Sequence, residues 1–166
     1  MITRLSLEDR DTVQQIWSLQ HMAYPLEAEL IGFSEIPPLL DTFETLRECG
    51  ETFYGYIDDD GELIGAIAVE PEPHQVTISR MMVHPGHFRK GVAGSLVRHV
   101  LDSYGEVPLF IVSTGTRNTP AVALYEKFGF VRDHAFEVAP GVQGSPVEKT
   151  NLNFNAIIMR RALHFE

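Results

Sequence analysis

A chain of 166 residues, 44% hydrophobic and 22% charged, is sized for a single domain, 1–166, that can bury about 70% of its unfolded surface. Its formal net charge of −10 argues against a nucleic-acid partner, because phosphate backbones are held by clustered Lys and Arg, and suits a cationic or neutral substrate better, although acidity of this kind mostly serves solubility. No apolar run approaches the roughly 20 residues of a membrane span. The opening residues Met1-Ile2-Thr3-Arg4-Leu5-Ser6 lack a secretory pattern, and a lone Cys49 fits a reducing compartment, so a cytoplasmic protein with no membrane partner is expected.

Ile2 to Leu7 reads as a short strand, and Ser6-Leu7-Glu8-Asp9 has the S-x-x-D form of a helix start ahead of Val13, Ile16, Trp17 and Gln20. The spacing predicts a first helix running to Tyr24-Pro25. Pro25, Gly32, Pro37 and Pro38 break the segment 25–38 before Leu39, Leu40, Phe43 and Leu46-Arg47 suggest a second helix. From Thr52 the period becomes two: Phe53 to Ile57, an Asp-Gly turn at 58–61, then Leu63 to Val69, a β-hairpin. The aspartates of the turn lack the spacing of a calcium loop. Gln75 to Val83 makes a third strand of this run, after the two of the hairpin. Beyond it Val92, Ala93, Leu96, Val97, Val100, Leu101 and Tyr104 recur at helical spacing, and Pro108 to Ser113 is the apolar run of a buried strand, so strand, helix and strand predict a parallel pair. Thr119-Pro120 reads as the N-cap and first residue of a helix closed by Gly129. Two strands, Phe130 to Val138 and Phe154 to Leu163, complete the chain around the loop 140–146. The expected fold class is α/β in layers: a mixed, mostly antiparallel sheet of about seven strands with helices on both faces.

Between the third strand and its helix lies Val83-His84-Pro85-Gly86-His87-Phe88-Arg89-Lys90-Gly91-Val92-Ala93-Gly94-Ser95-Leu96. Free backbone N–H groups and the positive end of a helix dipole favour an anion here, glycines permit close approach, and Arg89 and Lys90 add charge. Gly86 to Gly91 has the spacing of G-x-x-x-x-G-K-[ST] but continues Val92-Ala93, and G-x-G-x-x-G does not occur.

Phe88-Arg89-Lys90-Gly91-Val92-Ala93 after Val83-His84-Pro85, followed by Asn118-Thr119-Pro120-Ala121-Val122-Ala123-Leu124-Tyr125-Glu126-Lys127-Phe128-Gly129-Phe130, resembles the two motifs of the GNAT superfamily of acyl-coenzyme-A-dependent N-acetyltransferases, Q/R-x-x-G-x-G/A and N-x-x-A-x-x-L-Y-x-x-x-G-F. The resemblance covers most of the chain. One position departs from it: Phe88 stands where Gln or Arg is usual, with the arginine displaced to Arg89. Because backbone N–H groups hold the diphosphate in that family, the resemblance still implies a diphosphate site.

The resemblance implies transfer of an acetyl group from acetyl-coenzyme A, as co-substrate, to a primary amine of a small molecule, peptide or protein by direct attack. Arg89, Lys90, Gly91, Val92, Ala93, Gly94 and Ser95 would hold the pyrophosphate, and Met81, Met82 and Val83 would pair with the pantetheine arm. Asn118 would contact that arm or order a water, and Tyr125 would protonate the departing thiolate. A phenol of pKa about 10 stays protonated at neutral pH and matches the basicity of a thiolate. For the general base, Glu70 at the end of the second strand is the best-placed carboxylate, with Glu72 and His74 next and ordered water as the alternative. His84 and His87 have no third ligand at metal spacing, so no metal is expected, and Cys49 reads as a packed or surface thiol. The rival readings are a non-catalytic acyl-coenzyme-A sensor or scaffold, and a phosphate-binding enzyme of other chemistry. The acceptor amine is expected between the segment 25–38 and the loop near 140–150; its identity stays open, and a homodimer is left open as well.

Overall fold

The computed structural model describes residues 1–31, 41–115, 117–138 and 154–162. Seven strands form one sheet: β1 (Ile2–Leu5), β2 (Thr52–Ile57), β3 (Leu63–Pro71), β4 (Val76–Val83), β5 (Leu109–Gly115), β6 (Val131–Val138) and β7 (Phe154–Ala162), in the order β1-β2-β3-β4-β5-β7-β6. Every neighbouring pair is antiparallel except β4 and β5. That parallel pair is joined by α3 (Val92–Ser103), as a crossover connection requires. The other α-helices among the described residues are α1 (Arg10–Ile31), α2 (Phe43–Arg47) and α4 (Thr119–Lys127).

Two cores result, one on each face. Val92, Leu96, Val97 and Val100 of α3 and Val122 and Tyr125 of α4 pack on Ile67, Val69, Val76, Ile78, Phe110 and Val112. Val13, Ile16, Leu19 and Tyr24 of α1 and Leu46 of α2 pack on Phe53, Ala66, Ala68 and Met82 of the other face. Burial of each such large side chain contributes about 1.5–3 kcal/mol relative to exposure. At Gly65 an added Cβ would lie 2.6 Å from Val92 Cγ1, so glycine there lets the start of α3 sit directly on β3.

Three local expectations change. The cap of α1 is Asp9, whose carboxylate accepts from Asp11 N at 3.3 Å and from Thr12 Oγ1 at 2.7 Å, while Ser6 Oγ takes the Glu8 N–H in a separate turn. Nor does α1 stop at Pro25. It continues to Ile31, because a proline removes a single N–H from the ladder and the buried stripe before it already anchors the helix. In α4 the cap is Asn118, which accepts from Ala121 N at 3.3 Å, with Thr119 and Pro120 inside the first turn. Leu39, Leu40 and the loop 140–146 lie outside the described residues.

Candidate active site

The site begins with an irregularity in β4. Ala68 of β3 faces Arg80, but Val69 faces Ile78, so Ser79 is an extra residue, a β-bulge. Side-chain direction flips across it: Val76 and Ile78 enter the core under α3 and α4, whereas beyond Ser79 it is Met81 and Val83 that pack there and Met82 that points toward α1. The parallel ladder to β5 covers only Val76 to Ile78 against Phe110 to Val112 and ends at the bulge, although β4 runs on to Val83 and β5 to Gly115, the latter paired throughout with β7. The two strands therefore part at their C-terminal ends. The His84 N–H turns toward β3 and reaches Ile64 O at 2.7 Å. By strand alternation Met82 does likewise, and Met81 and Val83 present their N–H and C=O groups to the opening. Of the three residues expected to pair with a pantetheine arm, two face the opening and Met82 does not.

The opened end of β4 leads into the glycine stretch. His84 Nδ1 accepts from Gly86 N at 2.9 Å and closes a short 3₁₀ turn, Pro85–His87. Arg89 then has φ +65° and Gly91 φ +78°, with Lys90 of ordinary sign between them. Backbone of alternating hand makes successive N–H groups converge, the conformation of an anion nest. Gly91 caps α3 without a side-chain bond, and the first intrahelical donor is Ser95 N, to Gly91 O at 3.0 Å. Among the described residues, no acceptor takes the N–H groups of Val92, Ala93 or Gly94. These donors, the dipole of α3, and exposed Arg89 and Lys90 suit a diphosphate. Phe88, at the unusual position, is 49% exposed.

On the α1 side of the bulge is a buried ionic cluster. The bulge lets two consecutive residues, Ser79 and Arg80, both reach Glu51: Ser79 Oγ donates to Oε1, while Arg80 Nε and Nη2 bind the carboxylate at 3.0 and 2.8 Å. Arg80 Nη1 also donates to Asp41 Oδ2 and, at 2.7 Å, to Gln20 Oε1. The Arg80, Asp41 and Glu51 side chains are only 11%, 14% and 8% exposed. Burial by itself raises the Glu51 carboxyl, but the hydrogen bonds from Arg80 and Ser79 and the guanidinium charge outweigh it and hold the group below the usual range. It is thus a poor base. Burial, with further help from Glu51, pushes the Cys49 thiol up to about 11, which leaves it unreactive at neutral pH. One turn beyond Gln20, Tyr24 Oη accepts from the Met81 N–H at 3.1 Å.

Tyr125 is buried on α4, edge-on to Phe130 at 5.4 Å between ring centroids, in the core that also receives Met81 and Val83. Asn118 begins the same helix just past the end of β5. Glu70 is not brought to this end of the sheet. It is exposed and faces Thr77, on the side of the bulge where β4 and β5 are still paired, four residues before Met81 along β4 or about 13 Å at 3.3 Å per residue. An antiparallel hairpin carries the end of β3 back to the beginning of β4, hence away from the opening. Glu72 and His74 lie in the adjoining turn, exposed. The arrangement of Gln20, Asp41 and Glu51 around Arg80, with Tyr24 on the adjacent Met81 N–H, is not among the sequence expectations. Its signal was the loss of alternation at Ser79-Arg80, two adjacent polar residues in an apolar strand. A depression of about 420 Å³ lined by Arg4 to Glu8, Glu51 and Thr52 lies at β1, three strands from β4, and has neither glycine loop nor open ladder. Among the described residues there is no group of three or more His, Cys, Asp or Glu that could hold a metal ion, and no helix is long and apolar enough to cross a membrane.

Comparison with known structures places the fold. The ribosomal-protein-S18-alanine N-acetyltransferase of Escherichia coli superposes with a TM-score of 0.73 at 18% identity, covering 100% of this chain and 96% of that one. The ribosomal-protein-alanine N-acetyltransferase of Brucella melitensis gives 0.70 at 14% identity, over 98% and 99%. Among curated proteins, the UPF0157 protein YqkA of Bacillus subtilis strain 168 is 37% identical over 142 residues, which are 86% of this chain and 41% of that protein, so the chain spans less than half of that relative. Residues 13–130, from the buried face of α1 through the bulged strand and the glycine stretch to the end of the Asn118–Phe130 segment, match the acetyltransferase (GNAT) family, and the chain belongs to that family.

Proposed function

We propose that the chain transfers an acetyl group from acetyl-coenzyme A to a primary amine by direct attack, in the cytoplasm. The observation that carries this reading is the juxtaposition of a ladder broken at Ser79 with an anion nest at the start of α3. The open strand suits an amide-bearing arm and the nest suits a diphosphate, one strand end apart. When bound, acetyl-coenzyme A supplies an acyl group activated as a thioester.

The backbone N–H groups of Lys90 to Gly94 bind the diphosphate, with Arg89 and Lys90 adding charge, and the Met81 C=O and the N–H and C=O of Val83 pair with the arm as a further strand would. The Met81 N–H is the donor nearest the bulge and binds the carbonyl oxygen that gains negative charge as the amine adds. The amine reacts as the free base: its nitrogen forms the new bond to carbon and sheds one proton to water as the carbon–sulfur bond breaks. Tyr125 gives its phenolic proton to the sulfur and recovers one from solvent, which balances the step. With Glu70 remote and Glu51 held ionised by Arg80, ordered water serves as the base.

Calorimetric titration with acetyl-coenzyme A tests the reading; micromolar binding is expected, and its absence sinks it. Thiol release is then measured with small amines, polyamines, amino acids and N-terminal peptides. Alanine-starting peptides are included because two structural relatives are named for ribosomal-protein alanine. Binding without release across that panel would indicate a sensor in place of an enzyme.

A further inference from the structure

Tyr24 occupies a position that the reaction outlined above does not explain. Its side chain reaches from α1 to the Met81 N–H, the ladder donor that the bulge frees first, and it is 6% exposed. Gln20, one turn earlier on the same face, holds the guanidinium of Arg80. Consecutive turns of α1 thus grip consecutive residues of β4, one by its side chain and the other by its backbone. A phenol oxygen at hydrogen-bond distance from Met81 N stands where a carbonyl oxygen bound by that N–H would stand. The phenol is also a donor, which an occupying carbonyl is not.

Resting on the acyl-transfer reading, we propose that Tyr24 is a further catalytic residue, the second donor of the oxyanion site. When the thioester oxygen takes the Met81 N–H, the Tyr24 hydroxyl changes from acceptor of that N–H to donor toward the same oxygen. Two oxygens cannot share that place, so the tip of the ring moves aside by one hydrogen-bond length, about 2.7–3.1 Å, and both donors then reach one oxygen. Tyr24 keeps its proton throughout, and no bond at the phenol is made or broken. Its role differs from that of Tyr125, which parts with a proton to the sulfur. The two phenols approach from opposite faces of the sheet, Tyr24 from the core under α1 and Tyr125 from the core under α4. The Gln20–Arg80–Glu51 contacts keep α1 and the bulge in fixed register, which confines the change to the tip of the Tyr24 ring.

The test is Tyr24→Phe in the full chain, read in three ways. Isotope-edited infrared spectroscopy of bound [1-¹³C]acetyl-coenzyme A reports polarisation of the thioester carbonyl and needs no acceptor: the stretch lies at lower frequency in the wild type, and the variant loses part of that shift. Turnover of acetyl-coenzyme A in the thiol-release assay falls about 10²- to 10³-fold, the usual effect of deleting one oxyanion donor. Affinity for coenzyme A lacking the acyl group changes less than about twofold. An unchanged carbonyl frequency, or turnover equal to or above wild type, would mean that the phenol merely plugs the donor and overturns the proposal. Loss of coenzyme A affinity in step with turnover would reduce Tyr24 to a prop for β4 and also overturns it. Wild-type protein that does not bind coenzyme A overturns the acyl-transfer reading together with this one; wild-type activity matched by the variant overturns this one alone.

Discussion

Replacing Arg80 with Met removes a cation that two buried carboxylates share. Asp41 and Glu51 are 14% and 8% exposed, so neither can turn to bulk water without moving its segment. Removing one partner of a buried ion pair costs about 3–5 kcal/mol, because the remaining charge is left desolvated. For a domain of 166 residues each kcal/mol moves Tm by about 2–4 °C, so the variant should melt about 6–20 °C below wild type near neutral pH. The pH dependence gives a second check. In the wild type the Glu51 carboxyl is held below its ordinary value, so its contribution is present above the unfolded pKa of about 4.3 and is lost as pH falls through the lower folded value. Without Arg80, burial dominates and raises the folded pKa. The variant is then penalised above that raised value and recovers as the carboxyl protonates. The gap in Tm should be widest near pH 7 and narrow steadily toward pH 4, measured by circular dichroism at a series of pH values. Replacing Arg80, Asp41 and Glu51 together by apolar residues of matched volume should restore most of the loss. A variant melting within about 2 °C of wild type at pH 7, or a gap that does not change with pH, would refute the account of a guanidinium holding two desolvated charges.

Four substitutions address the proposed donor site. Gly91 has φ +78° and open space where a Cβ would stand, so Gly91→Ala should cost about 1–2 kcal/mol through backbone strain alone and leave coenzyme A binding nearly intact. Gly91→Glu adds negative charge at the nest and should abolish binding in calorimetry; retained affinity would misplace the diphosphate. Tyr125→Phe should lower kcat about 10²-fold or more with donor affinity unchanged, and equal turnover in a thiol-release assay would remove the phenol from the proton transfer. Gly65→Ala brings a Cβ to 2.6 Å from Val92 Cγ1 and 3.2 Å from Leu96 Cδ1, so it should destabilise by about 1–3 kcal/mol in denaturant titration and, by lifting the start of α3, weaken donor binding as well.

The glycine stretch was legible in the sequence because its chemistry is local: glycines, two cations and a helix start lie within one short segment, and the structure adds only the alternating hand at Arg89 and Gly91. The β4–α3–β5 parallel pair was legible for a similar reason, since a crossover helix between two apolar runs allows little else. Caps were read less well. Asn118 and Thr119 are both good caps and proline is tolerated in either of the first two helical positions, so local chemistry did not decide between them. Glu70 was legible as a carboxylate at a strand end, but not which end of the sheet it would occupy: a hairpin places the end of one strand against the start of the next, and the opening lies at the far end. The Arg80 cluster joins residues 20, 41, 51 and 80 from four separate segments, and no spacing along the chain announces such a meeting.

A single extra residue links most of what distinguishes this site. Without Ser79 in the bulge, β4 would keep its alternation, Arg80 would point into the apolar core under α3 and α4, and Met81 would turn its N–H toward β3. The ladder to β5 would then have reason to continue past Ile78, closing the gap that an amide-bearing arm needs. With the bulge, the same residue that interrupts pairing also places its own hydroxyl and the next guanidinium on Glu51, so the irregularity is tied in place by the charge cluster it creates. The cluster in turn holds Gln20, and through α1 it sets Tyr24 over the N–H that the bulge has freed. Stability and chemistry are therefore coupled here in a defined direction: loosening the ionic cluster should move the Met81 donor and Tyr24 together, whereas altering the tip of Tyr24 alone should leave the cluster, and with it the melting temperature, nearly where it was.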